Sequence, residues 1–272
     1  MIEPREVLGT ARTLLFVPGT RPDRFARAGE SGADLVVIDL EDAVAPAAKD
    51  EARKQAADWL ATRPWGVRIN PPGTDWFDED LRAVSAYPCV VMVPKAESAT
   101  VLGRIAKQLA PGSCLLALVE TAAGIVAAPA IARVPAVTRL AFGSYDLAAQ
   151  LGVSPEDRDA MAYSRGALVL ASAAARLPGP FDGVTGDVGD ADRLRDDVHH
   201  GTRLGLTGKL CVHPRQVPVV HEELRPSEDE LVWAGKVVAA SAGGGVVLLD
   251  GQMVDKPVVE RARRMLRAGW GA

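Results

Sequence analysis

Cysteine, histidine and surplus positive charge are all scarce in this 272-residue chain. The three cysteines, Cys89, Cys114 and Cys211, are odd in number, scattered and set in apolar runs. That pattern argues against a disulfide framework or a zinc site and reads as buried free thiols in a reducing compartment. His199 and His200 are adjacent in a polar helical stretch, so they face different directions and make a poor metal pair. A formal net charge of -4 gives no support to nucleic-acid binding, which favours a concentrated basic face. No uninterrupted apolar stretch reaches the length of a membrane span. The opening "MIEPREVLGTARTLLFVPG" lacks the basic start and long apolar core of a secretory signal. We therefore expect a cytoplasmic protein with no membrane or nucleic-acid partner. What remains is globular composition, 48% hydrophobic and 24% charged, at a length that suits one α/β barrel.

Short apolar or β-branched runs recur along the chain: "TLLFVPG" (13–19), "DLVVIDLED" (34–42), "WGVRINP" (65–71) and "VVMVPKAE" (90–97). The second half adds "CLLALVET" (114–121), "TRLAFGSYD" (138–146), "PFDGVTGD" (180–187) and "GKLCVHP" (208–214). Near-continuous apolarity without alternation marks parallel strands covered on both faces. Helical segments lie between them, such as "AAKDEARKQAADWL" with Ala48, Ala52, Ala56 and Leu60 on one face. Eight strands alternating with helices predict an α/β protein, a (β/α)8 or TIM barrel over residues 1–226. The rival, an open doubly wound sheet, lacks its Gly-rich fingerprint after the first strand.

Each run is apolar at its start and chemically loaded at its C-terminal end. In order these ends carry Arg21, then Glu41 and Asp42, then Arg68 and Asn70, then Lys95 and Glu97. They continue with Glu120, Asp146, Asp187 and His213. In a barrel all eight ends ring one mouth, where barrel enzymes do their chemistry. Glu120 and Asp146, on adjacent strands with few histidines nearby, suit a hard cation such as Mg2+. The same acids equally suit capping of the helices that follow. Arg68, between Val67 and Ile69, needs a partner if it points inward. A substrate carboxylate or thioester oxygen fits its planar fork, and so does an ion pair with Glu41 or Asp42. Asp39, Glu41 and Asp42 are read as acids that hold Arg68 and metal-bound waters in place. Lys95 and Glu97 are read as a structural pair.

The tail, residues 227–272, exceeds a minimal barrel. "RPSEDELVWAGKVVAAS" predicts a helix with a capping box, Ser227 and Glu230. "GGGVVLLDGQMVDKP" predicts a hairpin around Asp250-Gly251, and an amphipathic helix follows Pro257. The tail is expected to be too small for a core of its own. Asp255 stands two residues before Pro257, a plausible cap for that last helix.

Taken together, "LLFVPGTRPDRF", "VVIDLEDAVAPAAK", "VRIN", "VMVPKAES", "LALVETAAGI", "LAFGSYDL", "GKLCVHPRQV" and "DGQMVDKPVVERA" resemble the citrate lyase β-subunit-like family. That family belongs to the wider HpcH/HpaI aldolase group, and the resemblance runs in order through nearly the whole chain. It implies a barrel, usually a homotrimer, that cleaves or forms a C–C bond in a 3-hydroxyacyl thioester. The family's substrates include malyl-CoA, β-methylmalyl-CoA, citramalyl-CoA and citryl thioesters. By resemblance Glu120 and Asp146 match the Mg2+ ligands, and Arg68 binds the substrate oxygens. Glu120 also borders the substrate, while Phe16, Arg21 and Arg27 match positions that contact CoA. Asp255 matches a catalytic acid that a C-terminal lid delivers into the neighbouring subunit's site, and Asp39, Glu41 and Asp42 match an acidic signature around the metal. Ser144 and Tyr145 stand where relatives often carry Ala and Glu, and Ala122 and Ala123 where an arginine often stands. Three functions remain in view: a CoA-ester lyase, a citrate lyase β subunit acting on an acyl-carrier thioester, and a non-catalytic barrel.

Overall fold

The computed structural model describes residues 3–63, 65–241, 245–249 and 251–270. Eight parallel strands close a barrel in sequence order. They are β1 (Thr13–Pro18), β2 (Leu35–Asp39), β3 (Gly66–Arg68), β4 (Val90–Val93), β5 (Cys114–Val119), β6 (Val137–Phe142), β7 (Phe181–Asp182) and β8 (Gly208–Cys211). Around them run α1 (Pro4–Thr10), α2 (Phe25–Gly29), α3 (Lys49–Leu60), α4 (Phe77–Val84), α5 (Ala99–Ala106) and α6 (Ala122–Ile131). The series continues with α7 (Ser144–Leu151), α8 (Arg158–Ala174), α9 (Ala191–Leu204) and α10 (Gln216–Glu223). The apolar runs therefore form the expected (β/α)8 barrel. Of its run 180–187, β7 keeps only Phe181 and Asp182, and Gly183 and Gly186 follow with no side chain to pack. Asp146 is not on a strand end, because Gly143 and Ser144 start a helix and put it in the first turn of α7.

The barrel interior is filled by Leu14, Leu35, Val37, Val90, Met92, Cys114, Leu116, Leu118, Ala141, Phe181 and Leu210. Leu8 and Ala11 join this cluster from α1 and the residue after it, and α1 lies against β4, β5 and β6. The helix is fastened there by Arg139, 1% exposed, with no carboxylate partner among the described residues. Its guanidinium donates to the carbonyls of Leu8, Ala11 and Gly179 and to Thr207 Oγ1, and lies 3.8 Å over the Phe181 ring. Burial holds its pKa down to about 9. All three cysteines are buried and free. No helix among the described residues is long and apolar enough to cross a membrane.

Two compact units divide between His221 and Glu222. In the second, α11 (Glu228–Ala240) is followed by an antiparallel hairpin of β9 (Val247–Leu249) and β10 (Gln252–Val254), then α12 (Lys256–Trp270). The hairpin turn at Asp250 lies outside the described residues. The capping box at α11 forms as expected, Glu230 N–H donating to Ser227 Oγ and Ser227 N–H to Glu230 Oε2. Against expectation, the tail does bury a small core: Ala234, Val237, Val254, Val259 and Ala262, flanked by Trp233, Val247 and Met265. Two amphipathic helices closing on a hairpin bury enough apolar surface among themselves to make it.

Candidate active site

The three acids after β2 surround one arginine. In the β2–β3 register Asp39 lies opposite Arg68, so the two strand-end side chains meet on one face. Arg68 Nε and Nη2 donate to the two Asp39 carboxylate oxygens at 2.7 and 2.6 Å, a bidentate pair. Its Nη1 lies 3.0 Å from Glu41 Oε2 and 3.2 Å from Asp42 Oδ2. The Glu41 contact is close, yet that oxygen is left without a hydrogen-bond partner. Burial opposes the charge of Arg68, but Asp39 and then Glu41 and Asp42 outweigh it, so the guanidinium stays charged. Phe16 presents its ring 5.0 Å beneath that guanidinium. Asp39 also accepts the N–H groups of Glu41 and Ala43, which shapes the loop that carries the other two acids.

A second buried cation locks the same loop from behind. Lys49 Nζ donates to the carbonyls of Leu40 and Glu41 and to Asn70 Oδ1, all within 2.8 Å, and burial lowers its pKa. Asn70 in turn donates to Asp80. These residues do not line the cavity; they fix the loop that does.

Glu120 follows β5 and is 4% exposed. Its Oε1 accepts the Lys95 N–H at 2.8 Å, and Gly143 makes room for it. A Cβ at Gly143 would overlap the Glu120 Cβ and stand 2.6 Å from Oε2. Burial pushes the Glu120 carboxyl up to about 8, with the charges of Glu41 and Asp146 adding to the effect against Lys95 and Arg68. Glu41 is likewise pushed up to about 7, chiefly by burial. Lys95 Nζ reaches Glu41 Oε1 at 3.1 Å and Asp146 Oδ2 at 3.5 Å. The expected pairing of Lys95 with Glu97 is not made: Glu97 accepts instead from Thr121 Oγ1.

One cavity of about 410 Å³ gathers Phe16, Asp39, Asp42, Arg68, Glu120 and Asp146, with Leu118, Phe142, Val184 and Leu210 as apolar walls. Arg21 and Arg27 do not line it. Arg21 is turned to Asp23 at 2.8 Å, an exposed pair. Arg27 is one of three arginines, with Arg24 and Arg215, whose charges add to burial in holding His213 below its usual pKa. This basic group between α2 and the end of β8 was not legible in sequence, because its members come from segments nearly 190 positions apart. His213 Nδ1 accepts the Arg215 N–H, closing the turn after β8. Asp255 belongs to the second unit, where its Oδ1 accepts from Val258 N–H at 3.2 Å and so caps α12.

Residues 12–214 match the profile of the HpcH/HpaI aldolase/citrate lyase family. A citrate lyase subunit beta-like protein of Mycobacterium tuberculosis is 41% identical over 264 residues, 93% of either chain. A (3S)-malyl-CoA thioesterase of Cereibacter sphaeroides is 34% identical over 267 residues, 94% of this chain and 93% of that one. Among solved structures, the CitE protein of Mycobacterium tuberculosis in complex with magnesium, acetoacetate and coenzyme A superposes with a TM-score of 0.85 at 37% identity. That match covers 96% of this chain and 99% of the other.

Proposed function

The chain belongs to the HpcH/HpaI aldolase/citrate lyase family and is a lyase, and from that premise we propose that it cleaves or forms a C–C bond in a 3-hydroxyacyl-CoA thioester, with Mg2+ as cofactor. The products are acetyl- or propionyl-CoA and a 2-oxoacid, the substrate being of the malyl-, methylmalyl- or citramalyl-CoA type. The observation that carries this reading is the meeting of Arg68, Glu120 and Asp146 in one cavity at the barrel mouth. The magnesium, acetoacetate and coenzyme A bound by the related CitE protein support it.

The residues present fit the cation. Glu120, Asp146 and Glu41 share one small region, and the charges of Glu41 and Asp146 add to burial in pushing Glu120 up, a repulsion that a cation among them would relieve. Among the described residues no three His, Cys, Asp or Glu side chains are grouped to hold an ion. Two carboxylates, Glu120 and Asp146, are enough for Mg2+, which keeps several waters. Bound there, it supplies the positive charge that the hydroxyl and carboxylate oxygens of the 2-oxoacid half require.

The chain's own groups supply the rest. Cleavage moves the C–C bonding pair onto the thioester α-carbon, the hydroxyl proton passes to water as the new carbonyl forms, and the enolate oxygen takes up the charge. Arg68, held rigid by Asp39, Glu41 and Asp42, faces the cavity and stabilises that oxygen without reorganising. Asp255, carried over from the resemblance, returns a proton to the enolate carbon, or removes it in the condensing direction. The tail that bears it is assigned as a lid on a neighbouring copy's site in a homotrimer. Arg27, Arg24 and Arg215 suit the phosphates of CoA and Phe16 its thioester arm, with Arg21 freed from exposed Asp23 at little cost. The buried free thiols fit a cytoplasmic setting.

The test is mass-detected turnover of a panel of 3-hydroxyacyl-CoA esters, with and without a chelator. Acetyl- or propionyl-CoA appearing only with Mg2+ supports the lyase and names its substrate. Free CoA with the intact hydroxyacid would instead indicate hydrolysis, the activity named for the Cereibacter relative. Silence with Mg2+ still bound would move the reading to an acyl-carrier thioester and a citrate lyase β subunit. Silence without metal binding would leave a non-catalytic barrel.

A further inference from the structure

Lys95 is one of two non-glycine residues at positive φ among those described, at +46°. A lysine gains nothing intrinsic from the left-handed region, and strain of this kind persists where surrounding contacts impose it, often at functional sites. Here those contacts are visible. The Lys95 N–H donates to Glu120 Oε1 at 2.8 Å, and the next N–H, of Ala96, donates to the Leu118 carbonyl. The backbone after β4 is thus tied to β5 at the residue proposed to hold the metal. The side chain turns the other way across the mouth, its Nζ 3.1 Å from Glu41 Oε1, after β2, and 3.5 Å from Asp146 Oδ2, in α7.

A cation held by Glu120 and Asp146 would lie close to that ammonium and repel it. Arg68 does not take its place: its ion pairs run to Asp39, Glu41 and Asp42, and none reaches Asp146 among the described residues. The lysine side chain is 41% exposed, so it has solvent into which to withdraw. We infer that Lys95 is a tethered counter-ion of the cation site: its ammonium sits between Glu41 and Asp146 when no metal is bound and gives way when a divalent cation enters. The inference rests on the reading of Glu120 and Asp146 as metal ligands. Its backbone and side chain have separate tasks, the N–H orienting Glu120 in both states and the ammonium neutralising the acids in one.

The experiment is Mn2+ binding to the chelator-stripped full chain, followed by electron paramagnetic resonance, alongside thermal melts with and without metal. The variants are Lys95→Gly, Lys95→Met and Lys95→Arg. Lys95→Gly removes the ammonium, keeps the N–H and accepts the positive φ, so it is the variant expected to fold best. Both neutral variants should bind Mn2+ more tightly than wild type, by roughly tenfold for removal of one nearby unit charge. Lys95→Met should also melt below wild type when stripped and close that gap when saturated, whereas Lys95→Gly relieves the positive φ as it loses the ammonium and is read by affinity alone. Lys95→Arg keeps the charge and should stay near wild-type affinity. Neutral variants that bind Mn2+ equally well or more weakly would overturn the inference and make Lys95 a permanent positioning residue. Wild type that binds no Mn2+ would overturn the metal reading together with it, which separates the two failures.

Discussion

At the scale of single residues the site is a problem in charge balance. Arg68, 12% exposed, is surrounded by three acids, two of them nearly fully buried, while Glu120 and Glu41 are held by burial far above their ordinary values. Both carboxyls bind protons in the folded state that they would release in the unfolded chain between about pH 4.5 and 8. At these two groups the folded protein carries more protons in that window, so their contribution to stability falls as pH rises. A divalent cation binds the ionised form and therefore binds better at the upper end. We expect the chelator-treated protein to lose melting temperature from about pH 7 to 8, above the range in which His200 and His213, both held below their usual value, add stability as pH rises, and Mg2+ to raise it more at pH 8 than at pH 6. A flat profile, or a larger Mg2+ increment at pH 6, would contradict the assignment of Glu120. The carboxylates held below their usual values, Asp196 and Asp197 among them, act at lower pH and do not disturb this window. Arg68 and Glu120 could be picked out from sequence because a charge beside an apolar strand run demands a reason. Lys49 and the partners of Asn70 and Lys95 could not, since those partners lie in other segments and depend on barrel closure.

Among elements, the β6–α7 junction decides whether the two proposed metal ligands, Glu120 and Asp146, meet. The run "LAFGSYD" reads as one strand in sequence, yet the chain turns at Gly143 and presents Asp146 from a helix. The turn brings the Gly143 Cα so close to Glu120 that a methyl group cannot fit. Gly143→Ala should therefore displace the Glu120 carboxylate, costing about 1–3 kcal/mol of stability by overpacking. It should also weaken Mn2+ binding by at least roughly tenfold, the equivalent of about 1.4 kcal/mol lost at the ligand. Calorimetric titration and a denaturant melt read the two effects separately, and an alanine variant with unchanged Mn2+ affinity would show that Glu120 is free to move. The barrel strands were legible element by element because both faces are covered, which leaves continuous apolar runs. The extent of β7 and the start of α7 were not, because glycine spacing alone does not distinguish a broken strand from a turn. The tail shows the same limit. Its helices and capping box follow from local pattern, but its small core depends on two helices meeting over a hairpin.

For the whole molecule the open matter is how the two units cooperate. The barrel supplies Arg68, Glu120 and Asp146, whereas Asp255 caps α12 in a unit with a core of its own. A cap bond of this kind is worth about 1 kcal/mol, so stability alone gives Asp255 only a modest reason to be an acid. If it acts as a proton donor in a neighbouring copy's site, Asp255→Ala and Glu120→Ala are each inactive for lack of a different half of the same machine. Mixed and reassembled, the two variants should regain activity, because some sites then pair an intact barrel from one chain with an intact tail from another. Refolded separately and combined without exchange of subunits, they should stay inactive. If Asp255 serves the barrel of its own chain, reassembly rescues nothing, since every copy carries one lesion in its own site. If Asp255 only caps α12, Asp255→Asn and Asp255→Ser, which also cap helices, retain full turnover and the lid assignment is lost.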